Sequence, residues 1–477
     1  MGLPTVTARA RMHILTGLTT NPAAPEHVLI RLAKAPWAAR HLAWRRESIP
    51  EELGAVLAAS DDEEVAHALA SMPSLPLSLR TRFAADPDPE IRAAVAGRLT
   101  GGELLERLAA DPDATVRTAV AGNAGTPDRL RTRLATDPAA TVRTALAKAW
   151  RTPPAAVHRA LLTDDDPTVR AAACSDDHPV PPADLHAALL DDPRTRRYVA
   201  PRAALTPELA ERLARDPDQE VRAELARNPG LPGAALDLLV ADHDFGVRYT
   251  LLVSPRISHD LRSRLHEEVV TGAEEGDDEW DIAATLLPLA WTGRDLAWVR
   301  TAPLEERLGL LGSAMPFLRY AVAAQARELP GPVVARLLAD PDPQVQRLTA
   351  RSAGSVPPEE LERVVVDHGD LRKTAPGIMA RPDFPTDAFV RFATSGNDRL
   401  RAAAAARPGL PAGLLRMLAA DPATRVRAGA AGNPGLPLDC LAALLTDEDP
   451  DIAEEAGTSA VLPVAWMEEL LTAEGLS

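Results

Sequence analysis

Apolar residues return along this chain in short bursts with a nearly constant period. From Thr206, Leu209 and Leu213 stand four apart, and Val221 and Leu225 stand four apart again. Such pairs share one helix face, so each period predicts two short helical segments. An apolar residue followed by arginine marks the second segment. It recurs at Ile91, Val116, Val142, Val169, Val221 and Val247, in steps of 24 to 28 residues once a degenerate mark at Arg197 is included. Weaker marks at Val65, Arg40 and Ile14 extend the series backward, and Leu318, Val345, Leu371, Leu400, Val426 and Ile452 resume it after a gap. The pattern predicts an all-α chain, an α-solenoid of about sixteen short two-helix repeats.

The polar residues between the bursts are turn and cap residues. Thr206 precedes Pro207 at a predicted helix start, where a missing N–H costs nothing. Asp216-Pro217 is expected to repeat the device for the second segment, with Asp216 as its cap. Asn228-Pro229 is expected to end that segment, the asparagine in the left-handed conformation. Isolated helices this short are marginal, so the apolar faces must be buried on neighbouring repeats. Alanines at Ala119, Ala145, Ala172 and Ala223 allow close approach.

The consensus LxxLAxDPDxxVRxxxAxNPxxPxxLL resembles the leucine-rich repeat variant family, a relative of HEAT-type α-solenoids. Asp216, Pro217, Val221, Arg222, Asn228, Pro229 and Pro232 match it in one unit, and Asp421, Pro422, Val426, Arg427, Asn433, Pro434 and Pro437 in another. The resemblance implies a right-handed superhelix of alternating α and shorter, 3₁₀-like helices. Some family members carry a cysteine-rich iron–sulfur segment; this chain lacks those cysteines, and no cofactor is carried over.

The period fails between about Ser254 and Pro316. That divides the chain into an N-terminal array (1–253), degenerate helical repeats with an acidic insertion (254–316), and a C-terminal array with its cap (317–477). The insertion runs Glu274-Glu275-Gly276-Asp277-Asp278-Glu279 and leads into Trp280, Trp291 and Trp298. It reads as a solvated loop or as a docking point, since long loops are often functional. The terminal repeats are expected to be atypical, because end units must cover an exposed layer.

Composition narrows the function. Lys and Arg total 52 against 68 Asp and Glu, a formal charge of −16. Nucleic-acid affinity rests largely on cationic contacts to phosphate, so a general nucleic-acid role is disfavoured. The two cysteines, Cys174 and Cys440, provide no disulfide framework. With no apolar signal-peptide core in Met1–Thr20 and no membrane-length apolar run, a cytoplasmic location is expected.

Catalytic motifs are absent: no GxxxxGK[ST], GxSxG or HExxH occurs. Cys174 and His178, with Asp176 and Asp177 between them, form the tightest group of soft ligands, but two such ligands on one irregular loop are too few to argue a metal site. His243, between Asp242 and Asp244, replaces a turn proline. Two arginine columns stand out. In the second segment an aspartate precedes the arginine by six residues: Asp86 and Arg92, Asp111 and Arg117, Asp137 and Arg143, Asp216 and Arg222, Asp421 and Arg427. These are expected to form a structural ladder tying adjacent units. The first-segment column includes Arg107, Arg133, Arg159 and Arg212; with Trp280, Trp291 and Trp298 these are candidate partner contacts. The chain is therefore expected to be a non-catalytic scaffold presenting an extended curved surface to a protein or peptide partner, without metal or cofactor. The alternative is a HEAT-like nucleic-acid-binding or DNA-repair protein that uses the arginine columns.

Overall fold

A computed structural model describes residues 2–274, 296–368 and 375–476, which are helical with no strand among them. Among the described residues no helix is long and apolar enough to cross a membrane. Contacts divide the chain into two compact units: Met1–Leu134 with Pro385–Ser477, and Ala135–Phe384. Each is a stack of helix pairs, as the period predicts. The first helices of successive repeats form one row and the second helices another: Glu26–Ala33 packs on Glu51–Ala58 in the first row, and Pro89–Ala96 packs on Ala114–Gly122 and Ala140–Ala149 on Pro167–Ala173 in the second.

The repeat at Thr206 shows why these residues fold so. The Thr206 hydroxyl accepts from Leu209 N at 3.3 Å, and Pro207 opens helix Pro207–Ala214, whose Leu213 and Ala214 are buried. The second helix starts later than Asp216-Pro217 suggests. Its cap is Asp218, whose carboxylate accepts from Glu220 N at 2.9 Å, and the helix runs Gln219–Leu225. Asp88, Asp113, Asp166, Asp342 and Asp449 cap their helices in the same way. Asp216 instead makes the preceding turn, accepting from Asp218 N at 2.9 Å. Val221 and Leu225 are fully buried, and truncating either to alanine should cost about 2–5 kcal/mol.

Three expectations are corrected. The first-row helices are α-helical, apart from the 3₁₀ turn Ala183–Leu185 that leads into His186–Asp191. Among the described residues none other than glycine has positive φ, so Asn228 is not a left-handed cap. The degenerate mark at Arg197 is not the buried residue of its repeat: Val199, which ends the short helix Arg196–Val199, and Ala200, which follows it, are buried.

The irregular segment contains helices His259–Glu274, Ala297–Thr301 and Leu304–Leu310. The acidic run from Glu275 to Glu279, with Trp280 and Trp291, lies outside the described residues, as do Leu371 and Arg372. The chain ends also differ from expectation. Helix Ala8–Leu18 packs on helix Pro450–Thr458, and Glu26–Ala33 on Val464–Ala473, so within the first unit the end repeats cover each other.

Candidate interaction surface and the polar ladders beneath it

The second-helix arginines join adjacent repeats through two groups at once. Arg92 donates from Nη1 to the backbone carbonyl of Asp86 at 2.8 Å, within its own repeat. Its Nε and Nη2 reach both oxygens of Asp111, in the next repeat, at 2.9 Å each. Asp111 in turn accepts from Asp113 N at 2.9 Å. The arginine is thus paired with a carboxylate of the following repeat, and the aspartate six residues before it, Asp86, contributes only its backbone carbonyl. Arg143 with Asp164, Arg222 with Asp242, Arg319 with Asp340, Arg401 with Asp421 and Arg427 with Asp447 repeat the two-pronged contact. Asp137 and Asp216 turn their backbone carbonyls to Arg143 and Arg222, and Arg117 donates to Asp111 O at 2.8 Å. In the irregular repeat Arg196 takes over and reaches Asp216 at 3.1 Å. The paired guanidinium holds the Asp111 and Asp421 carboxyls below the ordinary carboxylate range.

The asparagines form a second ladder that the sequence reading assigned to helix termination. Asn228 is buried, and its amide donates to Ala200 O and Ala203 O of the preceding repeat at 2.7 and 2.9 Å. Its own oxygen accepts from Gly230 N at 2.8 Å. Asn123 bonds Ala96 O, Leu99 O and Gly125 N, and Asn433 bonds Ala405 O, Arg407 O and Gly435 N, in the same arrangement. The signal was in the sequence: each asparagine stands seven residues after its apolar mark, whereas a terminator alone has no need of constant register.

The first-helix arginines are also engaged within the chain. Arg107 donates to Ala84 O at 3.3 Å, Arg159 pairs with Asp184, and Arg212 pairs with Asp191 at 2.8 Å. Arg133 is exposed at the same register of helix Asp128–Leu134. Trp298 is half-buried: its indole N–H donates to Val253 O at 2.9 Å, and the Arg262 guanidinium lies 5.3 Å from the ring centre.

Around Cys174 the chemistry is that of a core. The thiol is buried and pushed up to about 12, chiefly by that burial, which opposes the thiolate a metal or an electrophile would need. His178 pairs with the Ser175 hydroxyl at 2.8 Å and stacks on His158 at 5.7 Å between ring centres. No group of three or more metal-capable side chains occurs among the described residues. His243 is exposed on its turn.

What the repeats leave outside is apolar as well as charged. In the first unit, first-row helices Leu77–Phe83, Leu438–Leu444 and Val464–Ala473 each open with an exposed apolar residue directly after a proline: Leu77 is 74% exposed, Leu438 44% and Val464 39%. Val56 and Met417 are exposed further along their helices in the same row. Val464–Ala473 packs on Glu26–Ala33, that helix on Glu51–Ala58, and that on Leu77–Phe83, so the row runs unbroken through the chain ends. In the second unit Leu304 repeats the Pro-Leu position.

Comparison with known proteins adds one family. No curated protein sequence matches the chain. Among solved structures it is similar to an engineered protein, a Northeast Structural Genomics Consortium target, at 17% identity over 98% of this chain and 99% of that one, with a TM-score of 0.13. The model of the leucine rich repeat variant family matches residues 424–449. Those residues span helix Thr424–Ala431 and helix Leu438–Leu444, so one helix pair of this all-helical repeat chain matches the leucine rich repeat variant family.

Proposed function

We propose that the protein is a non-catalytic interaction scaffold of the cytoplasm that offers its first-row helix starts, on an extended curved surface, to a protein or peptide partner. The observation that carries this reading is the exposed apolar residue directly after a proline at the start of three first-row helices of the first unit: Leu77, Leu438 and Val464. Single exposed apolar residues are ordinary, but a repeated position is the kind of feature partners use. Aliphatic side chains at such spacing suit an apolar or amphipathic segment better than phosphate. Glu26 and Glu51, which open the intervening helices, are each tied to the next helix of the row, Glu26 accepting from Leu53 N at 3.3 Å and Glu51 from the Ser78 hydroxyl at 2.8 Å. In the second unit Arg159 and Arg212 stand on exposed ion pairs of modest strength.

The nucleic-acid reading draws less support. The regular second-helix arginines spend their guanidinium N–H groups on carboxylates and carbonyls of the array, and the chain carries a net charge of −16.

The test is affinity capture with the intact protein and with a variant carrying Leu77→Asp, Leu438→Asp and Val464→Asp. These surface changes should leave thermal stability within a few degrees of the parent. A partner held by the parent and lost by the triple variant supports the proposal. An unchanged set of captured proteins rejects this surface.

A further inference from the structure

The first and last repeats meet through the contact that joins consecutive repeats elsewhere. Asn21 is fully buried and donates to Gly457 O at 2.9 Å and Ser459 O at 2.8 Å, while its oxygen accepts from Ala23 N at 2.8 Å. That is the arrangement of Asn123, Asn228 and Asn433 on their preceding repeats. Asn21 stands seven residues after Ile14, and Gly457 five after Ile452, as Asn433 and Ala405 follow Val426 and Leu400. The first repeat thus occupies the place of the repeat that would follow the last.

Two glycines bring the helices to backbone contact. A Cβ added at Gly17 would lie 1.9 Å from Glu454 O, and one at Gly457 would lie 2.3 Å from Ile14 O. Ile14, Leu15, Leu18, Ile452, Ala453 and Ala456 are buried around them. The arginine–aspartate pair of other junctions is replaced on both sides: Ala453 stands where the arginine would be and Arg9 where the aspartate would be. Other ion pairs hold the edges, Arg11 with Glu474 at 2.8 Å and Arg45 with Glu454 at 2.9 Å.

The two faces differ, so the contact is heterologous, and each half fits any chain that presents the other half. We propose that this seam is an exchangeable head-to-tail interface whose second partner is another copy of this chain. Within one chain the pairing is intramolecular, at an effective concentration on the order of millimolar, and it wins at ordinary protein concentrations. Disabling opposite halves in two chains leaves only the pairing between them.

The experiment mixes Gly17→Leu chains, whose N-terminal half is blocked, with Gly457→Leu chains, whose C-terminal half is blocked. Light scattering after size-exclusion chromatography should give monomer mass for each variant alone and twice that mass for the equimolar mixture. The milder pair Asn21→Asp and Gly457→Ala disables the same halves with little added volume, and serves if either leucine variant loses its helical circular dichroism. A mixture of folded variants that stays at monomer mass overturns the proposal.

Discussion

The guanidinium of Arg222 lies against the carboxylate of Asp242, one repeat further on, with N–O distances of 2.7 and 3.0 Å, and both side chains are buried. Removing one partner of such a pair strands the other. Arg222→Ala should therefore lower unfolding free energy by about 3–5 kcal/mol. Arg416, paired with Asp439 where both are half exposed, should lose less than about 1 kcal/mol on the same change. Urea titrations of the two variants check the contrast.

The asparagine ladder predicts a sharp dependence on chemistry at constant shape. Asn433→Ala leaves Ala405 O, Arg407 O and Gly435 N without partners and should cost about 1–3 kcal/mol. Asn433→Asp should cost at least as much, because it turns an acceptor toward two carbonyl oxygens. Melting curves at neutral pH read both.

These ladders also show what the sequence carries openly and what it hides. Val221 and Leu225 announce their burial by spacing alone, because a helix face is a local property. Asp216 and Asp218 divide the turn and the cap between them, and the Asp-Pro pair by itself points to the wrong one. The partner of Arg92 is a carboxylate 19 residues ahead, while a nearer one, Asp86, contributes only its backbone. Asn228 reaches carbonyls 25 and 28 residues behind it, a choice set by how repeats stack and not by its neighbours in sequence. The joining of the ends rests on the same kind of contact across more than 430 residues, and only the shared Asn-Pro-x-x-Pro of Asn21–Pro25 and Asn228–Pro232 hints at it. Trp298, named among the candidate partner contacts, donates its indole N–H to Val253 O, a contact 45 residues away that its sequence neighbours do not announce.

Acid should loosen the array through the same carboxylates. Asp111 and Asp421 are held below the ordinary range, foremost by hydrogen bonds from Arg92 and Arg401. A depressed folded value means the stabilisation is complete above the unfolded value, about 3.9, and is lost as pH falls through the folded one. Stability should thus hold from neutral pH to about 5 and fall below about 4. Asp111→Asn should cost most at neutral pH, with the difference from the parent shrinking toward pH 2–3. Denaturation midpoints across that range decide it.

Occupied arginine columns predict weak interest in phosphate. Fluorescence anisotropy with a labelled duplex at low salt should show no binding with the steep salt dependence of multiple phosphate contacts. Salt-sensitive binding would return the nucleic-acid reading to the front.

Neighbouring repeats are locked through arginine and aspartate held between them. A double-mutant cycle on Arg222→Ala and Asp242→Ala, read by equilibrium urea unfolding, isolates that link. A favourable coupling of about 1.5–3 kcal/mol is the predicted result. Strictly additive losses would mean that the two side chains do not hold the repeats together.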